Sequence, residues 1–206
     1  MTAPSITLHG TPYSGHAHRV ALLLRMLGLP YRFVEAPGPV RHSPAFRALN
    51  PLGQIPVLEI EGLVLADSNA ILVYLAKCFD AGGLWLPETP EGAAAVQRCL
   101  SLAAGELAFG PATARAVAQW QMPGVPAEAR RVADKLLAFL EQHLAGREFL
   151  AAAHPTIADL ACYSYLAHAP EGGISLDSYP ALRAWLARVE ALPGFFPMPR
   201  LPVPAA

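Results

Sequence analysis

Apolar spacing changes character near residue 80, strand-like and mixed before it and helical throughout after it. Ser5-Ile6-Thr7-Leu8-His9 alternates and carries β-branched residues, so it predicts a short strand ending at Gly10. From Ser14 the period becomes helical: Val20, Leu23, Leu24 and Leu27 share a face, and Gly28 stops the helix. Residues 31–34 predict a second strand, giving a strand–helix–strand unit with parallel strands over residues 5–34. Pro37-Gly38-Pro39 predicts a loop, and Ser43 the cap of a short helix through Leu49.

The stretch NPLGQIPVLEIEGLVLADS, residues 50–68, is the organising segment of this half. Asn50-Pro51-Leu52-Gly53 is turn chemistry, since proline presets one dihedral and glycine accepts a positive one. Residues 57–60 then form a strand that starts at Pro56, where a missing donor does least harm. Glu61-Gly62 turns the chain, residues 63–65 return antiparallel, and Asp67-Ser68 stands as an N-cap before a helix over residues 69–79. The element order is βαβαββα. Residues 80–90, with Gly82, Gly83, Pro87 and Pro90 around Trp85 and Leu86, predict a linker.

Beyond it every pattern is helical. Residues 91–121 predict one long helix or two, bent or broken at Gly110-Pro111. Residues 128–144 predict an amphipathic helix with Val132, Leu136, Leu137 and Leu140 on one face. Thr156-x-x-Asp159 is a capping box that opens another helix, and Tyr179-Pro180 introduces the last. The proline-rich tail from Pro193 is expected to be irregular and to fold back on the body.

Composition narrows the function classes. The 206 residues can bury a real core, and a formal charge of −1 leaves no footprint for nucleic acid. No apolar run approaches the roughly 20 residues of a membrane helix, and the N-terminus lacks a signal pattern, so the expected compartment is cytoplasmic. Cys78, Cys99 and Cys162 are scattered, with no C-x-x-C pair, and are expected to be buried apolar residues. His16 and His18 would point roughly 200° apart on a helix and cannot share an ion, so no metal site is expected.

A cis bond between Ile55 and Pro56 would turn the Ile55 N–H and C=O outward as a strand-like partner for a peptide. The Asp67-Ser68 helix start would offer free N–H groups and a hydroxyl to a carboxylate. Together they suit a small peptide-like ligand with a free carboxylate. Here the sequence resembles the glutathione S-transferases, specifically bacterial, serine-type members: Asn-Pro-Leu-Gly-Gln-Ile-Pro-Val-Leu followed by Asp-Ser is close to their glutathione-site pattern. The Thr156-x-x-Asp159 box agrees, because that family carries a Ser/Thr-x-x-Asp box at this place.

The resemblance implies an α/β thioredoxin-like N-terminal domain (residues 1–80), a linker (81–90) and an all-α helical domain (91–206) that forms an electrophile pocket. It implies glutathione as co-substrate, held by Gln54, Ile55, Pro56, Asp67 and Ser68, with Arg41 and His42 near its glycine carboxylate. The first turn has no cysteine where a thioredoxin places its pair, so the reacting thiol comes with the ligand. Ser14, five residues before Arg19-Val20, fits the serine-type spacing as the hydroxyl that favours the thiolate, and Tyr13 is the alternative. Arg19 is expected to face solvent or to pair with a carboxylate. Glu106, Phe109, Arg115 and Trp120 are candidates for contacts to the electrophile. The implied reaction is attack on a small hydrophobic electrophile, as in detoxification, by a homodimer. The alternatives are a glutathione-dependent disulfide reductase, dehalogenase or isomerase, or a non-catalytic binding or regulatory protein.

Overall fold

A computed structural model describes residues 4–204. Strand β1 (Ile6–Gly10) runs parallel to β2 (Arg32–Glu35) and antiparallel to β3 (Val57–Ile60), which pairs antiparallel with β4 (Leu63–Ala66), giving the order β2-β1-β3-β4. The hairpin turn at Glu61 and Gly62 has φ of 47° and 83°, the mirror-image turn that matches strand twist and that glycine favours. Helices α1 (Gly15–Met26) and α4 (Ser68–Phe79) cover one face of this sheet. The short α3 (Pro44–Leu49) covers the other through Phe46, which packs with Ala36 and Val57.

Residues 37–39 do not form the expected loop: Gly38–Arg41 is a helical turn, α2, because Pro39 sits in the first turn where its missing N–H costs nothing. The helical half begins with α5 (Pro90–Ala104), capped by Thr89. The expected break falls at Gly105, earlier than Gly110-Pro111, which lie instead in a π-helical turn (Ala108–Ala112) that leads into α6 (Thr113–Trp120). A widened turn tolerates Pro111, which has no N–H to complete the α-helical ladder. Gly110 is needed for closeness: a Cβ there would lie 2.8 Å from the Ala133 nitrogen of α7 (Pro126–Leu144). That crossing explains why Ala129 and Ala133 join Leu136, Leu137 and Leu140 on the buried face of α7 while Val132 is only half-buried.

Helix α8 (Ile157–Ala167) is buried on every side at the centre of the helical domain, packed on α1 and α5. Its capping box is present, and the Asp159 carboxylate also accepts from Leu150 N–H (2.9 Å) and Trp185 Nε1–H (2.8 Å) of α9 (Pro180–Glu190). The tail does fold back. Met198 is buried, Phe195 and Phe196 pack on the core, and Leu201 N–H donates to Glu171 at 3.0 Å. The fold is thus a thioredoxin-like α/β domain followed by an all-helical one. Cys99 and Cys162 are buried as expected, but Cys78 is exposed near the end of α4. No helix among the described residues is long and apolar enough to cross a membrane.

Candidate active site

A cleft of about 760 Å³ opens between the two halves of the chain, and its floor is the start of α1. Ser14 is the N-cap of α1, its Oγ accepting the Ala17 N–H at 3.2 Å. The cap uses a lone pair, which leaves the hydroxyl proton for an acceptor in the cleft. Tyr13, beside it, also lines the cleft and is 41% exposed.

One wall is the segment that the sequence singles out. Asn50 folds the turn onto itself, donating from Nδ2 to Gln54 C=O (2.9 Å) and accepting Leu52 N–H (3.2 Å). Gln54, Ile55 and Pro56 then line the cleft, and the Ile55–Pro56 bond is cis. Asp67 and Ser68 line it too, and two of the expected donors of α4 are already taken. The Asp67 carboxylate already accepts Asn69 and Ala70 N–H, each at 2.9 Å. Asp67 has φ of 72°, a strained value for a residue with a side chain, which those two bonds hold in place. Arg41 lines the cleft with a buried Nε that has no partner, whereas His42 is exposed and outside it.

Arg19 departs from expectation. It is 1% exposed, neither facing solvent nor paired with a carboxylate among the described residues. Its Nη1 donates to Asn69 Oδ1 (3.0 Å) and Ser68 Oγ (3.3 Å), and its guanidinium lies 5.9 Å from the centre of the Tyr165 ring. Ser68 Oγ in turn meets His16 Nδ1 at 3.3 Å. Burial, and then the Arg19 charge, push the His16 pKa down to about 3, so the ring is neutral. His18 points away from His16: it donates Nε2–H to Phe196 C=O, and its Nδ1 accepts from Ser164, each at 2.9 Å. Burial depresses it to about 4. The described residues hold no cluster of metal-ligating side chains.

The opposite wall comes from α6, the π-helical turn and α8. Ala108, Ala112 and Ala116 give it a shallow apolar surface, with Thr113, Trp120 and Met122 around them. Of the four candidates on the long helix, Arg115 and Trp120 reach the cleft; Phe109, 68% exposed, and Glu106 do not. Arg115 is buried and serves as a clamp. Its Nε donates to Glu171 (2.6 Å), its Nη1 to Tyr13 C=O (2.9 Å), and its Nη2 is buried without a partner. Burial alone would raise the Glu171 carboxyl, but the Leu201 N–H, Arg115 and His168 together hold it below the usual carboxylate range.

Tyr165 of α8 is the cleft residue that sequence patterns miss. It lies against the start of α1 so closely that a Cβ on Gly15 would come 2.9 Å from its Cζ. In the sequence it is one position of a largely apolar helix, and only the packing of α8 on α1 brings it to the site. The cleft therefore joins a polar, peptide-shaped wall to a shallow apolar wall, with a hydroxyl at a helix N-terminus between them.

Residues 8–82 match the family model of the glutathione S-transferase N-terminal domain, and residues 115–193 that of the C-terminal domain. The chain is 31% identical over 186 residues to mouse glutathione S-transferase theta-3, covering 84% of this chain and 76% of that one. It resembles the crystal structure of a glutathione S-transferase from Xanthobacter autotrophicus with a TM-score of 0.87 and 32% identity, over 95% and 97% of the two chains. A glutathione transferase homologue from Drosophila mojavensis with bound glutathione is similar at a TM-score of 0.83 and 26% identity, over 92% and 89%.

Proposed function

The chain belongs to the glutathione S-transferase family, and we propose from that membership that it binds glutathione as co-substrate and transfers it to a small hydrophobic electrophile. The observation that carries this reading is the position of Ser14. Its hydroxyl stands at the start of α1, on the cleft floor, between a wall suited to a peptide and a wall suited to an apolar group.

Gln54, Ile55 and Pro56 pair with the peptide backbone, Asp67 and Ser68 hold its amino-terminal end, and the Arg41 side chain, which lines the cleft, attracts its glycine carboxylate. His42, exposed outside the cleft, has no part in this. A thiol with a pKa of about 8.5 is mostly protonated at neutral pH, and lowering it by two units requires about 2.7 kcal/mol. A hydrogen bond from a hydroxyl to a charged sulfur contributes about 1.5–3 kcal/mol and the helix N-terminus about 0.3–1, so Ser14 and α1 together reach that amount. The thiol proton leaves to solvent. The sulfur lone pair then forms a C–S bond to the electrophile while the leaving group departs with its electron pair, giving a thioether.

Residues 1–80 act as the glutathione-binding unit, 81–90 as linker, and 91–206 as the unit that completes the electrophile pocket. The protein works in the cytoplasm, in keeping with its three free thiols. It acts as a homodimer: the edge strand β4 exposes Leu63 and Val64, next to Asp67 and Ser68, and pairing of two copies would cover that edge. Light scattering at micromolar concentration should return twice the chain mass, and a monomer would refute the pairing.

The test of the chemistry is an ultraviolet difference spectrum of the protein with glutathione across pH, with Ser14→Ala and Tyr13→Phe alongside. A thiolate band that titrates well below the free thiol, persists in Tyr13→Phe and vanishes in Ser14→Ala is the expected result. A band unchanged in Ser14→Ala would remove Ser14 from the mechanism.

A further inference from the structure

A second, smaller crevice of about 150 Å³ lies between α5, α7 and the segment leading into α8, and it shares no lining residue with the active-site cleft. Its interior is apolar, made by Leu102, Leu140, Leu150 and Ala151 with the Cys99 and Cys162 thiols. Burial pushes the Cys99 thiol up to about 11 and Cys162 higher still, so both stay protonated and serve as soft apolar surface.

The rim is different. Arg98 and Arg147 stand there, both exposed, and neither has a carboxylate partner among the described residues. Arg98 lies over the Phe139 ring at 5.1 Å, and Phe139 stacks on His143 at 5.4 Å, so the mouth carries a flat aromatic surface. His143 is held by its Nε2–H donated to Leu150 C=O at 2.8 Å. The carboxylate behind this wall, Asp159, hydrogen-bonds to Leu150 N–H, Thr156 and Trp185 and forms no ion pair with either arginine.

We propose that this crevice is a second binding site, for a small aromatic carboxylate of about benzoate size. An apolar cavity of this volume accommodates a benzene ring. The carboxylate would meet one or both guanidiniums, whose fork geometry suits it, at an aromatic rim that favours a flat ring.

The test is titration of 4-fluorobenzoate into the whole protein, followed by ¹⁹F NMR, with S-hexylglutathione present to fill the active-site cleft. Binding should persist under those conditions, weaken about tenfold in Arg98→Gln/Arg147→Gln, and be lost in Ala151→Phe, which fills the crevice. Thioether formation should be unchanged in the arginine variant, since neither residue touches the cleft. The exposed arginines leave that variant folded whatever Ala151→Phe does. Binding displaced by S-hexylglutathione, binding insensitive to the arginines, equal affinity for neutral 4-fluorobenzamide, or no binding at millimolar concentration would each overturn the proposal.

Discussion

Replacing Asp159 tests how the helical domain is held together. Its carboxylate accepts Thr156 N–H (2.9 Å), Thr156 Oγ1–H (3.2 Å), Leu150 N–H (2.9 Å) and Trp185 Nε1–H (2.8 Å), and all three donor residues are buried. In Asp159→Ala the threonine hydroxyl can rotate to another acceptor, but three buried donors cannot. Each orphaned donor costs about 1–3 kcal/mol, so the gross loss is about 3–9 kcal/mol. Burial pushes the Asp159 carboxyl up, against those hydrogen bonds, and removing the charge refunds that part. The expected net loss is therefore about 3–5 kcal/mol, a large share of the roughly 5–15 kcal/mol typical of a folded domain. Asp159→Asn keeps one acceptor oxygen and turns an amide toward the other donors, so it should lose about half as much. Urea unfolding followed by tryptophan fluorescence and circular dichroism would measure both, with Trp185 as a reporter beside the substitution. A loss under about 1 kcal/mol for Asp159→Ala, or no difference between Asn and Asp, would refute the reasoning.

Other outcomes follow from the same structure. Gly15→Ala places a Cβ 2.9 Å from Tyr165 Cζ and 3.1 Å from Ser164 Cβ, so it should cost about 1–3 kcal/mol and lower kcat by shifting the start of α1, read by thermal unfolding and turnover. Arg115→Met breaks a buried pair and frees Tyr13 C=O, with an expected loss of about 3 kcal/mol; Arg115→Met/Glu171→Met should recover part of it in the same unfolding assay. His16 and His18, depressed to about 3 and about 4, stay neutral in the folded state, whereas the unfolded chain takes up their protons below about 6.5. Stability should therefore be fully present above about pH 6.5 and fall as the pH drops toward 4. His18→Gln should flatten that slope in urea titrations at successive pH values, and an unchanged slope would show that His18 does not contribute.

What the sequence determined by itself is short-range. The caps at Ser14, Ser43 and Thr156, the Glu61-Gly62 turn, the cis Ile55–Pro56 bond and the cleft-lining Gln54, Asp67 and Ser68 were legible because their signals lie within a few residues of the structures they make. Tertiary structure decided the rest. Arg19 is buried under Tyr165, Asp67 takes two donors of its own helix, Arg115 reaches across 102 residues to Tyr13, and alanines rather than Val132 make the close α7 crossing. None of these follows from spacing along the chain. Each depends on which helix packs against which, and above all on α8 lying against α1, a contact between segments about 140 residues apart that no local pattern encodes.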